Sequence, residues 1–401
     1  MEDVSGLVLT FEPMNKNSAE QRNLGLNTTC THVGEIADEQ FKGAVSPLYM
    51  SSSYAYEDVD VKRYPRYFNT PNQEALSIKL AALEKAEAAL VFGSGMAAIA
   101  TSMMGLLQAG DHVVFQQSLY GGTYHFANSQ LRRYGMDFNF TTGTSLSEFK
   151  AAVKPNTKVI YLETPSNPLL AITPLKEIAE WAKAEDYITV IDNTFASPVN
   201  QNPIELGIDL VIHSATKYLG GHSDLCAGAV MSSEELIKQV WEAGICYGGS
   251  LSDYTVWMLE RSIKTLGIRV ERQNSNAMAM AEWLAQQPEV KQVYYPGLTT
   301  HPGHELAISQ MSGFGGMMSF DLQDHLSAET VLEATQIIKA SMSLAGVEST
   351  ALLPSKTSHS LMDKEDRLKQ GISDQLIRFS VGIEEPEDLQ RDWKQAFAKA
   401  Q

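Results

Sequence analysis

Between Asp111 and Ser232 the chain alternates short runs of β-branched and aromatic residues with stretches whose apolar positions recur every three or four residues. The runs "HVVF", "MDFNF", "KVIYLE", "YITVID", "LVIHS" and "AGAVMS" predict strands. Between them, "PLKEIAEWAKAED" places Leu175, Ile178, Ala179 and Ala182 on one helical face, with charge opposite. Strands joined by amphipathic helices predict βαβ units and a mostly parallel sheet, an α/β fold. Upstream, "PNQEALSIKLAALEKAEAAL" predicts a helix with Leu76, Leu80 and Leu83 on one face, and the chain then turns through "FGSGMAAIATSMMGLL" into a second helix. Beyond about Leu259 the texture changes. A long helical stretch, "RSIKTLGIRVERQNSNAMAMAEWLAQ", precedes "VKQVYYPG", "GGMMSFDL", a further helix "ETVLEATQIIKA" and the runs "SMSLA" and "LIRFSVGI". This mixture predicts a smaller α+β domain, with a boundary near residues 255 to 265.

The chain's 401 residues, 44% of them hydrophobic, suffice for two such domains. A formal charge of -17, from 48 acidic against 31 basic residues, disfavours nucleic acid as a partner. No stretch reaches the roughly 20 uninterrupted apolar residues that span a bilayer, so no membrane partner is expected. The N-terminal "MEDVSGLVLTFEPMNKN" lacks the basic and apolar regions of a signal peptide. Cys30, Cys226 and Cys246 lie far apart without metal-ligand spacing, which predicts free thiols in a reducing compartment. A cytoplasmic protein without a metal is expected. Cys226 reads as core, His222 as structural, and the His301-x-x-His304 pair as a solvated loop.

The run Leu210 to Ile212 ends in Ser214, Thr216 and Lys217, and a lysine delivered by a buried strand needs a partner or a chemical task. Asp192 closes the neighbouring strand, at the edge where ligands gather in open α/β sheets. Tyr120 follows "HVVF" at that same edge, with a glycine pair after it. Gly95 and Met96 open a helix whose N–H groups and dipole suit a phosphate. An amine, a carboxylate, an aromatic plate, two hydroxyls and a helix N-terminus are what pyridoxal phosphate requires: a Schiff base, a protonated ring nitrogen, a stacking partner and a phosphate cradle.

From "THVGEIADEQFKGAVSPLYMSSSY" to "LIRFSVGIEEPEDL" the chain resembles the Cys/Met-metabolism family of pyridoxal-phosphate enzymes, the cystathionine γ-synthase-like group of fold type I. The resemblance rests on "FGSGMAAI", "LYGGTY", "ETPSNP", "IDNTF", "HSATKYLGGHSD", "YYPGL", "SGFGGMMSF", "SLAGVES" and "RFSVGIE", in order. It implies that Lys217 holds the cofactor covalently, Asp192 holds the ring nitrogen and Tyr120 stacks on the ring. Gly95, Met96, Ser214 and Thr216 would take the phosphate, and Asn167 would lie near the ring hydroxyl. Ser343 and Arg378 would take the substrate α-carboxylate. Tyr64 and Arg66 would enter a neighbouring subunit's phosphate site, in a homotetramer built as a dimer of dimers with shared active sites. The implied organisation is an N-terminal arm over 1–60, a cofactor-binding α/β domain over 61–260 and a C-terminal α+β domain over 261–401. Where the family commonly has Gly-Asn-Pro-Thr after the Tyr-x-Arg segment, this chain has Phe68, Asn69, Thr70 and Pro71.

The resemblance also implies chemistry on a sulfur amino acid, with Lys217 as the base at Cα and Tyr120 as a second acid or base. Ahead of the carboxylate-binding serine, γ-synthases and γ-lyases often carry Glu, where this chain has Met342. Methionine γ-lyases usually carry Cys where it has Gly122. The reading is therefore a cystathionine lyase that releases ammonia and a 2-oxo acid. The alternatives are γ-replacement (a cystathionine γ-synthase or an O-acyl-homoserine sulfhydrylase), a methionine γ-lyase, and, outside this class, an aminotransferase or a non-catalytic scaffold.

Overall fold

In a computed structural model the described residues are 24–358, 360 and 363–401, so "MEDVSGLVLTFEPMNKN" and the first part of the expected arm lie outside them. Seven strands form the larger sheet: β1 (Ala88–Phe92), β2 (His112–Phe115), β3 (Asp137–Phe140), β4 (Thr157–Glu163), β5 (Ile188–Asp192), β6 (Leu210–His213) and β7 (Gly228–Ser232). Their order is β1-β7-β6-β5-β4-β2-β3. All run parallel except β7, which is antiparallel to both β1 and β6. Both faces are covered, which is why these strands read as continuous apolar runs. Val91, Ile160, Leu162, Ile191 and Val211 meet the helices Pro71–Glu84 and Leu175–Ala184. The alternate residues Leu90, Phe92, Val159, Tyr161, Val190 and Ile212 meet the helices Gly95–Leu106 and Glu234–Tyr247.

The smaller sheet holds β8 (Val290–Tyr294), β9 (Met317–Leu322), β10 (Lys339–Ala340), β11 (Thr350–Leu352) and β12 (Leu376–Ser380), in the order β10-β11-β12-β9-β8. It is antiparallel apart from β10 beside β11. The helix Pro386–Ala400 packs on it through Leu389, Trp393, Ala396 and Phe397, with Trp393 edge-on to Phe320 and Phe379. The helix Leu266–Leu284 serves both cores: Leu266 and Val270 pack under the larger sheet, while Ala277, Met280 and Leu284 pack under the smaller. Among the described residues no helix is long and apolar enough to cross a membrane.

Three expectations about elements are corrected. The helix expected to run through "PNQEALSIKLAALEKAEAAL" stops at Glu84, Lys85 turns left-handed at φ 61°, and the rest of the apolar run opens β1. A short apolar run carries no period that separates a buried strand from a helix. The long stretch from Arg261 is two helices, Asp253–Ile263 and Leu266–Leu284, separated at Lys264 and Thr265. In "ETVLEATQIIKA" the helix ends at Ala334 because the Asp392 carboxylate, from the C-terminal helix, accepts the N–H groups of Gln336, Ile337 and Ile338 at 2.8 to 2.9 Å. A tertiary contact there overrides local helical preference.

Candidate active site

The parallel strands deliver polar residues to one edge of the larger sheet. Glu163 ends β4, Asp192 ends β5, and Ser214 to Lys217 follow β6. A cavity of about 620 Å³ opens there, a size that suits a small molecule. Gly95, Met96, Tyr120, Asn167, Asp192, Ser214, Thr216, Lys217, Met342, Ser343 and Arg378 all line it. The structure thus brings together eleven of the thirteen expected site residues. The other two, Tyr64 and Arg66, lie elsewhere.

Lys217 sits in a tight turn anchored by buried Ala215, Tyr218 and Leu219. Arg269 fixes that turn by donating to the Tyr218 carbonyl at 2.9 Å, and its guanidinium fills the space a Cβ at Gly221 would need. This is the physical use of the glycines after the lysine. The Lys217 ammonium donates to Ser343 Oγ at 2.7 Å. Burial, then the Arg378 charge, hold its pKa below the usual lysine range. Ser343 adopts φ 77°, and its carbonyl accepts from Arg378 at 3.1 Å. The other arm of Arg378 donates to Asn167 Oδ1 at 3.2 Å. Burial lowers the Arg378 pKa to about 10, so it stays a cation at neutral pH.

Glu163 and Asp192 are partners in the β4–β5 register and both are buried. Glu163 is pushed up to about 8 by burial and by the Asp192 charge. Asp192 is also raised by burial, against the pull of Thr194, whose N–H it accepts at 3.0 Å. Two buried carboxyls this close resist ionising together, which raises both.

At the other wall Ser94 caps the helix Gly95–Leu106, its Oγ accepting from Ala97 N at 3.0 Å. The first N–H groups of a helix have no intrahelical partner and carry the positive end of its dipole. Gly95 packs so tightly that a Cβ would lie 2.8 Å from Ser214 Cβ. The Thr216 hydroxyl is engaged with Ala227, donating to its carbonyl and accepting its N–H at 3.0 Å. Tyr120 directly precedes the helix Gly121–Ser129 and is 45% exposed. A Cβ on Gly122 would come within 2.5 Å of the Tyr120 ring, so the second glycine makes room for it.

Tyr64 precedes the turn Pro65–Tyr67 and Arg66 is its middle residue, whose guanidinium lies over the Tyr64 and Tyr67 rings at 5.7 and 5.1 Å and donates to the Ile245 carbonyl. The segment after them is built into the fold. Phe68 is buried against Phe92, and Thr70 with Gln73 forms a capping box for Pro71–Glu84. Met342 lines the cavity but is 71% exposed. Cys226, expected in the core, is exposed and lines the cavity, because the chain enters β7 only at Gly228. His301, expected to be solvated, is buried, with Nδ1 accepting from Gly303 N at 3.0 Å. His222 bonds the Gly220 carbonyl at 2.8 Å. Glu163 and Thr194 are cavity residues that the reading of motifs passed over. A carboxylate closing "KVIYLE", as Asp192 closes "YITVID", was the available signal.

Residues 27–398 match the family of Cys/Met metabolism PLP-dependent enzymes, and the chain belongs to it. Cystathionine gamma-lyase of Bacillus subtilis (strain 168) is 44% identical over 373 residues, 92% of this chain and 98% of that protein. Cystathionine beta-lyase MetC of the same organism is 42% identical over 359 residues, 88% of this chain and 92% of that protein. The crystal structure of cystathionine gamma-lyase from Lactobacillus plantarum complexed with L-serine superposes with a TM-score of 0.90 at 38% identity, covering 94% of this chain and 99% of that one. The fold is that of the fold type I enzymes and the cofactor is pyridoxal phosphate. The residues present fit that cofactor: the cavity holds the Lys217 amine with depressed basicity, the buried Asp192 carboxyl at the end of β5, and a helix start brought close by a glycine where a Cβ would intrude.

Proposed function

We propose that the protein is a carbon–sulfur lyase of sulfur amino-acid metabolism acting on cystathionine, in the cytoplasm. The observation that carries this reading is the Lys217 amine, held 2.7 Å from Ser343 Oγ in the cavity shared with Asp192 and Arg378. Pyridoxal phosphate, when bound, supplies the electron-withdrawing ring that accepts the electron pair left when the substrate loses its Cα proton. The Lys217 amine is the attachment point for the cofactor and, once free, the base that takes that proton; its lowered pKa raises the neutral fraction available for both tasks. The Asp192 carboxylate would hold the ring nitrogen protonated. Gly95 and Met96 would offer their N–H groups to the phosphate, with Ser214 and Thr216 beside them. The Tyr120 ring would cover one face of the cofactor, and its hydroxyl would be the acid for the departing sulfur. Arg378 and Ser343 hold the substrate carboxylate, with Asn167 orienting the guanidinium.

Elimination across Cβ–S would release homocysteine, pyruvate and ammonia; elimination across Cγ–S would release cysteine, 2-oxobutyrate and ammonia. Met342, an apolar side chain at the cavity mouth, stands where γ-synthases and γ-lyases often carry a glutamate, which weighs against γ-replacement. The sheet of residues 61–260 serves as the cofactor-binding domain and 261–401 as the smaller domain. Tyr64 and Arg66, outside their own chain's cavity, complete a neighbouring subunit's phosphate site in a homotetramer.

The test supplies cystathionine, cysteine, methionine and an O-acyl homoserine with a thiol in parallel and identifies the 2-oxo acid formed. Cystathionine should give the highest kcat/KM, with ammonia released in equal amount. Condensation of the O-acyl homoserine with the thiol as the fastest reaction would refute the lyase reading. Lys217→Ala should abolish both turnover and borohydride-trapped cofactor; a label on another lysine would overturn the assignment.

A further inference from the structure

The Glu163 carboxylate accepts the N–H of Tyr120 through Oε2 at 2.7 Å and the N–H of Asn167 through Oε1 at 3.2 Å. These two residues come from separate loops that follow the neighbouring parallel strands β2 and β4. One buried side chain therefore ties two walls of the cavity to the end of β4. The tie carries weight because the Tyr120 ring is half-exposed and has little packing of its own to fix it. Asn167, in turn, is the side chain that meets Arg378. We propose that Glu163 is a positioning residue: it sets the backbones of Tyr120 and Asn167 together, and through them the aromatic plate over the cofactor and the angle of the carboxylate-binding arginine. The inference rests on the function proposed above.

Glu163 touches neither reacting group directly, so its loss should register as misplacement. Glu163→Ala removes both acceptors. Glu163→Gln keeps the length, but its single carbonyl oxygen can serve only one of the two N–H groups while its amide faces the other. The experiment loads wild type and both variants with pyridoxal phosphate and measures three things: the visible circular dichroism of the bound cofactor, kcat per bound cofactor, and KM for cystathionine. The expected result is a weakened dichroic band in both variants. kcat should fall about 10- to 100-fold in Glu163→Ala, with KM raised severalfold, and by a smaller factor in Glu163→Gln. A purely structural role would lower the unfolding temperature and leave the band and kcat per site unchanged. Whether or not Glu163→Ala folds, a folded Glu163→Gln with the wild-type band and kcat within about twofold overturns the proposal. A wild-type protein that binds no pyridoxal phosphate would instead strike the function itself, and the two failures are told apart in the first titration.

Discussion

Replacing Gly95 by alanine tests how closely the cofactor cradle is built. In an ordinary helix the change gains up to about 1 kcal/mol of helix propensity. Here the new Cβ would lie 2.8 Å from Ser214 Cβ and 3.0 Å from both its Cα and its Oγ. Carbons pack best at about 3.5 to 4.0 Å, so the two elements must part by about 0.7 Å or more. Ser214 cannot retreat freely, since its N–H is bonded to Thr194 Oγ1 at 2.8 Å and β6 beneath it is buried. The helix start therefore moves, taking with it the N–H groups offered to the phosphate. Overpacking of this kind costs about 1 to 3 kcal/mol, a net loss of about 0 to 2 if the whole propensity gain is realised. A lengthened hydrogen bond to a charged group costs about 1.5 to 3 kcal/mol, which weakens cofactor binding about 10- to 100-fold. Calorimetry of the cofactor-free protein and an absorbance titration with pyridoxal phosphate measure the two effects separately. Gly249→Ala is the control, because its Cβ would meet neighbours only at 3.5 Å and beyond. If Gly95→Ala melts like wild type and binds cofactor within about threefold of it, the cradle is not where the Gly95 contact places it.

Met342→Glu should change the ratio of kcat/KM for cystathionine over a simple S-alkyl cysteine by only about two- to fivefold, because a side chain this exposed is screened by water and such pairs are worth about 0.2 to 1 kcal/mol. A shift beyond about tenfold would mean the position is desolvated when substrate binds. The cofactor-free protein should lose stability as pH rises. Glu163 loses its proton near 4.5 in the unfolded chain and near 8 in the fold, so within that window the folded state binds more protons, and stability present below it is lost through it. The expected loss is on the order of a few kcal/mol, and Glu163→Gln should flatten it. Urea midpoints at about pH 5 and about pH 8 measure this, and equal slopes for the two proteins would exclude Glu163 as the source.

Lys217, Asp192, Tyr120 and the Gly95 helix were legible because each stands where a buried apolar strand ends or a helix begins. In a parallel sheet those ends share one edge. Glu163 obeys the same rule, and nothing but its distance from the more familiar lysine kept it from being read. What sequence could not carry depends on the path of chain between elements. Met342 belongs to a run, "SMSLA", that looks like a strand but forms none, since Ser343 and Ala345 turn left-handed at φ 77° and 61°. That turn aims Ser343 at the Lys217 amine and leaves Met342 toward solvent.

The same dependence on distant partners explains the helix that stops at Ala334. Its residues are ordinary helix formers up to Lys339, and the carboxylate that unwinds them is 54 to 56 residues away. Tyr64 and Arg66 show the limit from the other side. Their motif reads as a phosphate ligand, yet within one chain the guanidinium lies against two tyrosine rings and is spent on the Ile245 carbonyl. An arginine so exposed to solvent gains little from stacking alone, about 0.5 to 1 kcal/mol. A phosphate met across a subunit boundary would repay it several times over. The subunit sharing proposed above would therefore use Arg66 only by giving up its bond to the Ile245 carbonyl as well as its place over the tyrosine rings.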